Sequence, residues 1–535
     1  MFKILRIIIY IILASVFLAV GSLIIQALRD SRAKENVALE DDQVPQFTLI
    51  DVDFHQSFRR SRGLPYAAGA IIDVDNDGTE ELFLGGGVLQ ADGLFFFKDD
   101  HFVNVVEQTG MVKQGDAITL GAAVIDADSN GYDDLIISRE NGIWLYFNEN
   151  GRFSMEKLDI EIPAGAVPLG VTVTDLNRDG NVDLFVPFIR RTSPLEWLSG
   201  AKQGAGVRPR LYVNNGDNTF FDITATVGMG DIEEARQAVF RDLDNDGLED
   251  LTVLHTSGEL STWKNLGDLL FENKSHFHTN SKGFFMGLAA GDYDNNNRTD
   301  FFLSNRGSTQ PQIITDFFHG KDERIISEWI LMNNSGFFSF RDDAERARLA
   351  PYELSRGALF VDLNNDGLQD LVVSQNHPYW PAHLIEKFRL PGRMFVQNSA
   401  GEFAETGIYA GTKNRSYSVT PLKADFNNDG YPDIVHVNLD GRTRVFLSKA
   451  GKNNYLKIDL AHTARSLGAV VQITTLSGKT VETVYGAGEQ LCGDSSHTLH
   501  VGLGSEKATD VKVLYTNGET DHTSGVLYNT IVAFN

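Results

Sequence analysis

The sequence predicts an all-β protein whose main body is a seven-bladed β-propeller, and three observations predict it. A ten-residue pattern rich in Asp and Asn recurs seven times, at steps of 49 to 70 residues between first aspartates. Each copy lies between two short apolar runs, and in five repeats a third run follows with an Asn-Gly-type turn. Four antiparallel strands in each unit of about 50 residues, repeated in this way, close into a ring of blades.

Composition frames the rest. A chain of 535 residues is too long for one compact domain. Its formal net charge of −25, from 72 acidic against 47 basic residues, argues against a nucleic-acid partner, which would need a basic footprint. A single cysteine, Cys492, excludes an intramolecular disulfide and any Cys-based zinc cluster.

The chain opens on an uncharged run of 19 residues, Ile7 to Ile25, preceded by Lys3 and Arg6 and followed by Arg29 and Arg32. At 1.5 Å per helical residue it nearly spans a hydrocarbon core of about 30 Å. Residues 1–29 are therefore expected to form a transmembrane helix or a signal, with an uncleaved anchor preferred to a cleaved signal peptide because the apolar run is long. Residues 30–45 read as a polar linker, 46–452 as the propeller and 453–535 as a small β domain.

The seven loops carry the chemistry. Their positions 1, 3, 5 and 9 are Asp73, Asp75, Asp77 and Glu81; Asp126, Asp128, Asn130 and Asp134; Asp175, Asn177, Asp179 and Asp183; Asp242, Asp244, Asp246 and Asp250; Asp292, Asp294, Asn296 and Asp300; Asp362, Asn364, Asp366 and Asp370; and Asp425, Asn427, Asp429 and Asp433. Oxygens at this spacing, with a backbone carbonyl at position 7, can wrap one hard cation. Gly at position 6 permits the turn, and Asn297 takes its place in loop five. Ca²⁺ fits better than Mg²⁺, which demands a strict octahedron, and the absence of His or Cys argues against transition metals. Up to seven Ca²⁺ sites are expected. They also account for the charge: 23 of the 72 acidic residues stand at these positions, and the remainder nearly balance the 47 basic residues.

The apolar runs flanking each loop, such as GAAVI before and DLIIS after loop two, read as strands buried on both faces. QFTLIDVDF at 46–54 precedes the first loop and is expected to supply an outer strand to the last blade. These loops and the Asn-Asn-Gly-Phe type turns resemble FG-GAP/VCBS repeats, whose cation loops are similar to those of integrin α-subunit propellers. After Asp433 the pattern stops, and alternating strands joined by Gly and Asn turns follow. Gly468-Ala469, Gly478, Gly486, Gly488 and the run His500 to Gly504 are similar to the ASPIC/UnbV domain of proteins related to cartilage acidic protein. Leu514 to Gly518 departs from the Trp-Pro-x-Gly that such domains tend to carry. The resemblance implies architecture and cation binding, and no reaction.

In such a blade the loop between strands two and three lies on the face away from the cations. From loop position 9 to the next turn it runs 14 and 15 residues in repeats two and four, but 31, 33 and 28 in repeats three, five and six. These insertions carry aromatic and basic residues: Arg190, Arg191 and Trp197; Phe317 and His319; Tyr379, Trp380, His383 and Arg389. They are candidates for binding a protein, peptide or glycan. Packing of the insertions on one another is the alternative. His276 with His278, and His497 with His500, are weaker metal candidates.

The function expected is a calcium-binding interaction or adhesion module, anchored in the cytoplasmic membrane with its body periplasmic or extracellular. An envelope enzyme, such as a polysaccharide lyase or hydrolase on the insertion face, and a structural partner in an envelope complex remain alternatives. No nucleophile or metalloprotease motif is present, and no catalytic residue is assigned.

Overall fold

The computed structural model describes residues 39–40, 43–57, 64–111, 115–190, 207–275, 281–306, 324–326, 328–350, 355–376, 390–407, 409–439 and 441–534. The run at 7–25 lies outside them. Among the described residues no helix is long and apolar enough to cross a membrane.

The described chain is all-β, built from repeated four-stranded antiparallel sheets. The strand before each acidic loop and the strand after it pair directly. Thr119–Ile125 pairs with Asp134–Arg139, Ala235–Arg241 with Asp250–His255, and Ser355–Val361 with Asp370–Gln375. All but one residue of these strands is buried, as continuous apolar runs covered on both faces require. Seven sheets each hold one acidic loop between two such strands, and the first strand of the last, Tyr417–Ala424, neighbours the first strand of the first, Gly69–Ile72. This is a propeller-like order.

Phe47–His55 forms the outer edge of the last sheet, as its sequence leads one to expect. It runs antiparallel to Arg442–Ser448, with Phe47 opposite Ser448 and Leu49 opposite Phe446. The N-terminal strand thus completes a sheet begun near the other end of the repeats, which ties the ring shut without a covalent bond.

Residues beyond 453 form two further sheets. One holds Leu499–Gly504, Asn454–Leu460 and Thr530–Phe534. The other holds Thr480–Val484, Val470–Thr475, Ala508–Leu514 and Thr520–Leu527. Their core is not separate. Leu456, Ile458, Val471 and Val511 share one buried apolar cluster with Ile125, Val173 and Leu184 of the second and third sheets. The unit therefore lies against the acidic-loop side of the ring.

One segment goes further. Gly493–Asp494 pairs in parallel with Gly69–Ile72, an innermost strand. Asp494 accepts a hydrogen bond from the backbone of Val124 at 2.9 Å, and the carbonyls of Gly488 and Glu489 accept from Thr172 at 3.2 Å and Gln237 at 2.6 Å. Cys492 is buried beside Leu169. The segment contacts the first strands of the first, second, third and fourth sheets, so it fills the central channel from the loop side.

Candidate metal centres and the two faces of the ring

Each acidic loop is organised by its own backbone. The first aspartate accepts from the backbone N–H of position 6 in all seven: Gly78 to Asp73 at 2.9 Å, Gly131 to Asp126 at 2.9 Å, Gly180 to Asp175 at 3.0 Å, Gly247 to Asp242 at 2.7 Å, Asn297 to Asp292 at 2.7 Å, Gly367 to Asp362 at 2.7 Å and Gly430 to Asp425 at 3.1 Å. Asn297 adopts φ +60°, the left-handed conformation that Gly supplies elsewhere, so loop five keeps its shape.

Position 9 ties the loop to the third strand. Asp134 accepts from the backbone of Ala127 at 2.9 Å with one oxygen and of Asn148 at 2.7 Å with the other. Asp250 repeats this with Leu243 and Asn265, and Asp300 with Tyr293 and Asn334. The asparagine of the turn is thus part of the site. Sequence reasoning used it only to mark a turn.

Position 4 was not singled out in the sequence, yet it links the loops. Asn295 donates to the Gly367 carbonyl of the next loop at 3.1 Å, Asn365 to Gly430 at 2.9 Å, and Asn428 to Gly78 of the first loop at 2.9 Å. Asn76 donates to Gly131 at 2.5 Å, and Arg178 reaches Gly247. Five of the seven steps between neighbouring loops are bridged in this way, including the one from loop seven back to loop one.

The side chains converge as a cation would require. In four loops three carboxylate oxygens lie within 4.8 Å of one another: Asp73, Asp75 and Glu81; Asp126, Asp128 and Asp134; Asp242, Asp244 and Asp246; and Asp292, Asp294 and Asp300. Buried oxygens of Asp73, Asp75, Asp244 and Asn296 have no hydrogen-bond partner. A buried oxygen without a donor is costly, and a cation would satisfy it. Burial also holds the protons on: it pushes Asp134, Asp183 and Asp250 up to about 7, Asp300 and Asp433 to about 8, and Glu81 to about 9. Carboxyl groups clustered in this way ionise readily only when a positive charge joins them. The residues present therefore fit a metal ion.

Some loops already meet an internal cation. Lys264, on the third strand of the fourth sheet, contacts Asp244 and lies 2.7 Å from Asp246. Lys457 of the C-terminal unit pairs with Asp425. That unit touches other loops too. The His462 carbonyl accepts from the backbone of Asp126, and His500 meets Asn365 at 2.6 Å. Asp242, Asp292 and Asp362, the first residues of loops four to six, line a cavity of about 220 Å³ beneath it.

The weak histidine pairs resolve differently. His497 bonds Asp494 and Tyr485, whereas His500 bonds Asn365, so the two do not converge on one ion. His276 and His278 lie outside the described residues. On the opposite face, Arg190 is exposed at the base of its insertion. Arg191, Trp197, Phe317, His319, Tyr379, Trp380, His383 and Arg389 lie outside the described residues. The described part of that face holds arginines that sequence reasoning missed, among them the half-buried Arg236 and the buried Arg356. Each follows the first residue of an innermost strand, a position only the strand order reveals.

Residues 126–186 and 242–303 match the FG-GAP-like repeat family. These two stretches are thus similar to FG-GAP-like repeats. Each match begins at the first aspartate of an acidic loop, so the FG-GAP unit and the candidate metal centre coincide in sequence. The chain is similar to cartilage acidic protein 1 of Xenopus tropicalis, 21% identical over 371 residues, which are 66% of this chain and 53% of that protein. The Homo sapiens protein of the same name is also 21% identical over 371 residues, with 52% of its length covered. The chain spans about half the length of the curated relatives it matches. Among solved structures, BBS1N in complex with ARL6DN is 10% identical with a TM-score of 0.41, covering 74% of this chain and 98% of that one. YCF48 bound to D1 peptide is 8% identical with a TM-score of 0.41, covering 76% and 98%. The V. cholerae biofilm matrix protein Bap1 is 9% identical with a TM-score of 0.33, covering 90% and 62%.

Proposed function

We propose that this FG-GAP-repeat protein is a seven-bladed, calcium-stabilised propeller that serves as an interaction or adhesion module for a protein, peptide or glycan. Its N-terminal run would hold it in the cytoplasmic membrane, with the body outside. One observation carries the calcium reading: the repeated loop brings carboxylates together around buried oxygens that lack donors. Oxygen-only donors, flexible loop geometry and a site count of up to seven favour Ca²⁺. Bound calcium would neutralise the clustered charge and, by binding the native loops far better than the unfolded chain, stabilise the ring.

The insertion face supports the module reading, because the C-terminal unit covers much of the loop face and its segment fills the channel from that side. The test is a thermal melt of the purified full-length chain with calcium and with EDTA. A rise in melting temperature on calcium, reversed by EDTA, is expected; an unchanged melt would falsify the cation assignment. Extraction of membranes with alkaline carbonate tests the anchor separately: the intact chain should stay with the membrane pellet.

A further inference from the structure

At the end of the channel away from the acidic loops, side chains from several blades meet. Arg236 is the second residue of Ala235–Arg241, Arg356 the second of Ser355–Val361, and Arg306 follows Asp300–Asn305. Tyr66 precedes Gly69–Ile72 of the first sheet. Although they come from the first, fourth and sixth sheets, Tyr66, Arg236 and Arg356 touch. Arg236 Nη1 donates to the Tyr66 hydroxyl at 2.5 Å, and the Arg356 guanidinium lies 5.3 Å from the centre of the Tyr66 ring. Contacts across so many blades occur only at the axis.

Within this collar Arg236 is incompletely satisfied. Among the described residues no carboxylate forms an ion pair with Arg236, and its Nε–H is buried without an acceptor. The Tyr66 oxygen accepts from Arg236, which leaves the phenolic hydrogen for another acceptor. Tyr66 is only 5% exposed, and no acceptor for that hydrogen is present among the described residues. Burial first, and then the charge of Arg236, push Arg306 down to about 10. The floor is the channel segment. Cys492 lies there, its thiol pushed up to about 12 by burial and therefore neutral. The channel segment bars approach to the collar from the acidic-loop side.

We infer that this collar is an oxoanion site that takes a carboxylate group offered by a ligand on the insertion face, with Arg236 and Tyr66 as its donors. The inference rests on the reading of that face as the binding face, and names the chemistry it recognises. A guanidinium presents parallel N–H donors that match the two oxygens of a carboxylate, and the half-buried Arg236, with no carboxylate paired to it among the described residues, has such donors to offer. The phenol adds a neutral donor, which strengthens the contact without adding charge repulsion.

The test uses the full-length chain and small probes. Acetate and inorganic phosphate are titrated against chloride at matched ionic strength, followed by calorimetry and by melting. Saturable acetate binding absent with chloride is expected, weakened about tenfold in Arg236→Gln and partly restored in Arg236→Lys. Tyr66→Phe should weaken it less, since one neutral donor is lost. Melting in chloride alone checks that each variant folds. Stronger binding of phosphate than acetate would point to a phosphorylated or free-phosphate source and overturn the carboxylate assignment. Equal responses to acetate and chloride, or undiminished binding in a folded Arg236→Gln chain, would overturn the site itself. The EDTA response belongs to the opposite face, so either result can fail while the other stands.

Discussion

Lys457 of the C-terminal unit places its ammonium 2.9 Å from Asp425, the first residue of the seventh acidic loop, with both side chains under a tenth exposed. It also donates to Asn428 at 3.1 Å, the residue that links loop seven to loop one. Burial works against the charge of Lys457, but Asp425 outweighs it and raises the pKa of the ammonium. Lys457→Met strands the Asp425 carboxylate. A loss of about 3 kcal/mol in the cation-free chain is expected, as for other broken buried pairs. With calcium bound the loss should shrink, because the ion still neutralises Asp425. Denaturant midpoints with EDTA and with calcium measure both, and equal losses would show that Asp425 is not near a bound ion.

The buried loop carboxyls set a pH dependence of the EDTA-treated protein. Asp134, Asp250, Asp300 and Asp433 carry folded pKa values of about 7 to 8, against roughly 4 in an unfolded chain. Between those values the folded state binds more protons. The stability they contribute is therefore complete below about pH 4 and lost as pH rises through about 8. Calcium should reverse the trend, since it binds the ionised form and is displaced on acidification. Urea midpoints at about pH 5 and about pH 8 check this. A cation-free protein that gains stability on going to the higher pH would contradict it.

Lys264 distinguishes loop four from its neighbours. Its ammonium contacts Asp244 and Asp246, where a cation would also sit, and their hydrogen bonds raise its pKa despite the burial that opposes it. In the second, fifth and sixth sheets the residue at this place on the third strand is Phe147, Asn333 or Val396, none of them charged. Loop four should therefore bind calcium more weakly than loops two and five. Lys264→Gln should tighten that one site about tenfold, read as one added ion in native mass spectra at limiting calcium. An unchanged ion count would mean that the lysine simply swings aside.

The parts of this arrangement that could be read from sequence are those built from local spacing. The Asp-x-Asp/Asn-x-Asp/Asn-Gly order set both the loop and the two strands around it, because the first aspartate and the position-6 N–H that it accepts are five residues apart. The outer strand at Phe47–His55 was legible for a similar reason: it is a run of alternating residues left over before the first repeat. The channel segment was not. Its contacts join Val124 to Asp494 and Thr172 to Gly488, residues hundreds of positions apart, and nothing local at Gly488 or Asp494 marks a partner. The arginine collar was hidden likewise, because Arg236 and Arg356 become neighbours of Tyr66 only once the ring closes. The insertions flagged for their aromatic and basic residues lie mostly outside the described residues.

The channel segment should be needed for stability, and Gly488 is where this shows. Gly488 has φ +67°, and a Cβ there would lie 2.2 Å from the Val171 carbonyl oxygen. Backbone cannot yield as a side-chain tip can, so Gly488→Val must either distort the innermost strand Thr172–Thr174 or withdraw the segment from the channel. A cost of about 3 kcal/mol is expected from strain and overpacking together. Gly478 is the control: it has φ +83° but open space around it, so Gly478→Ala should cost only about 1 kcal/mol for the left-handed backbone. If the segment plugs the ring, Gly488→Val should also expose Cys492 to a thiol reagent, which the wild type and Gly478→Ala resist. A Gly488→Val chain that melts with the control and keeps its thiol protected would show that the C-terminal unit only rests on the ring and does not lock it.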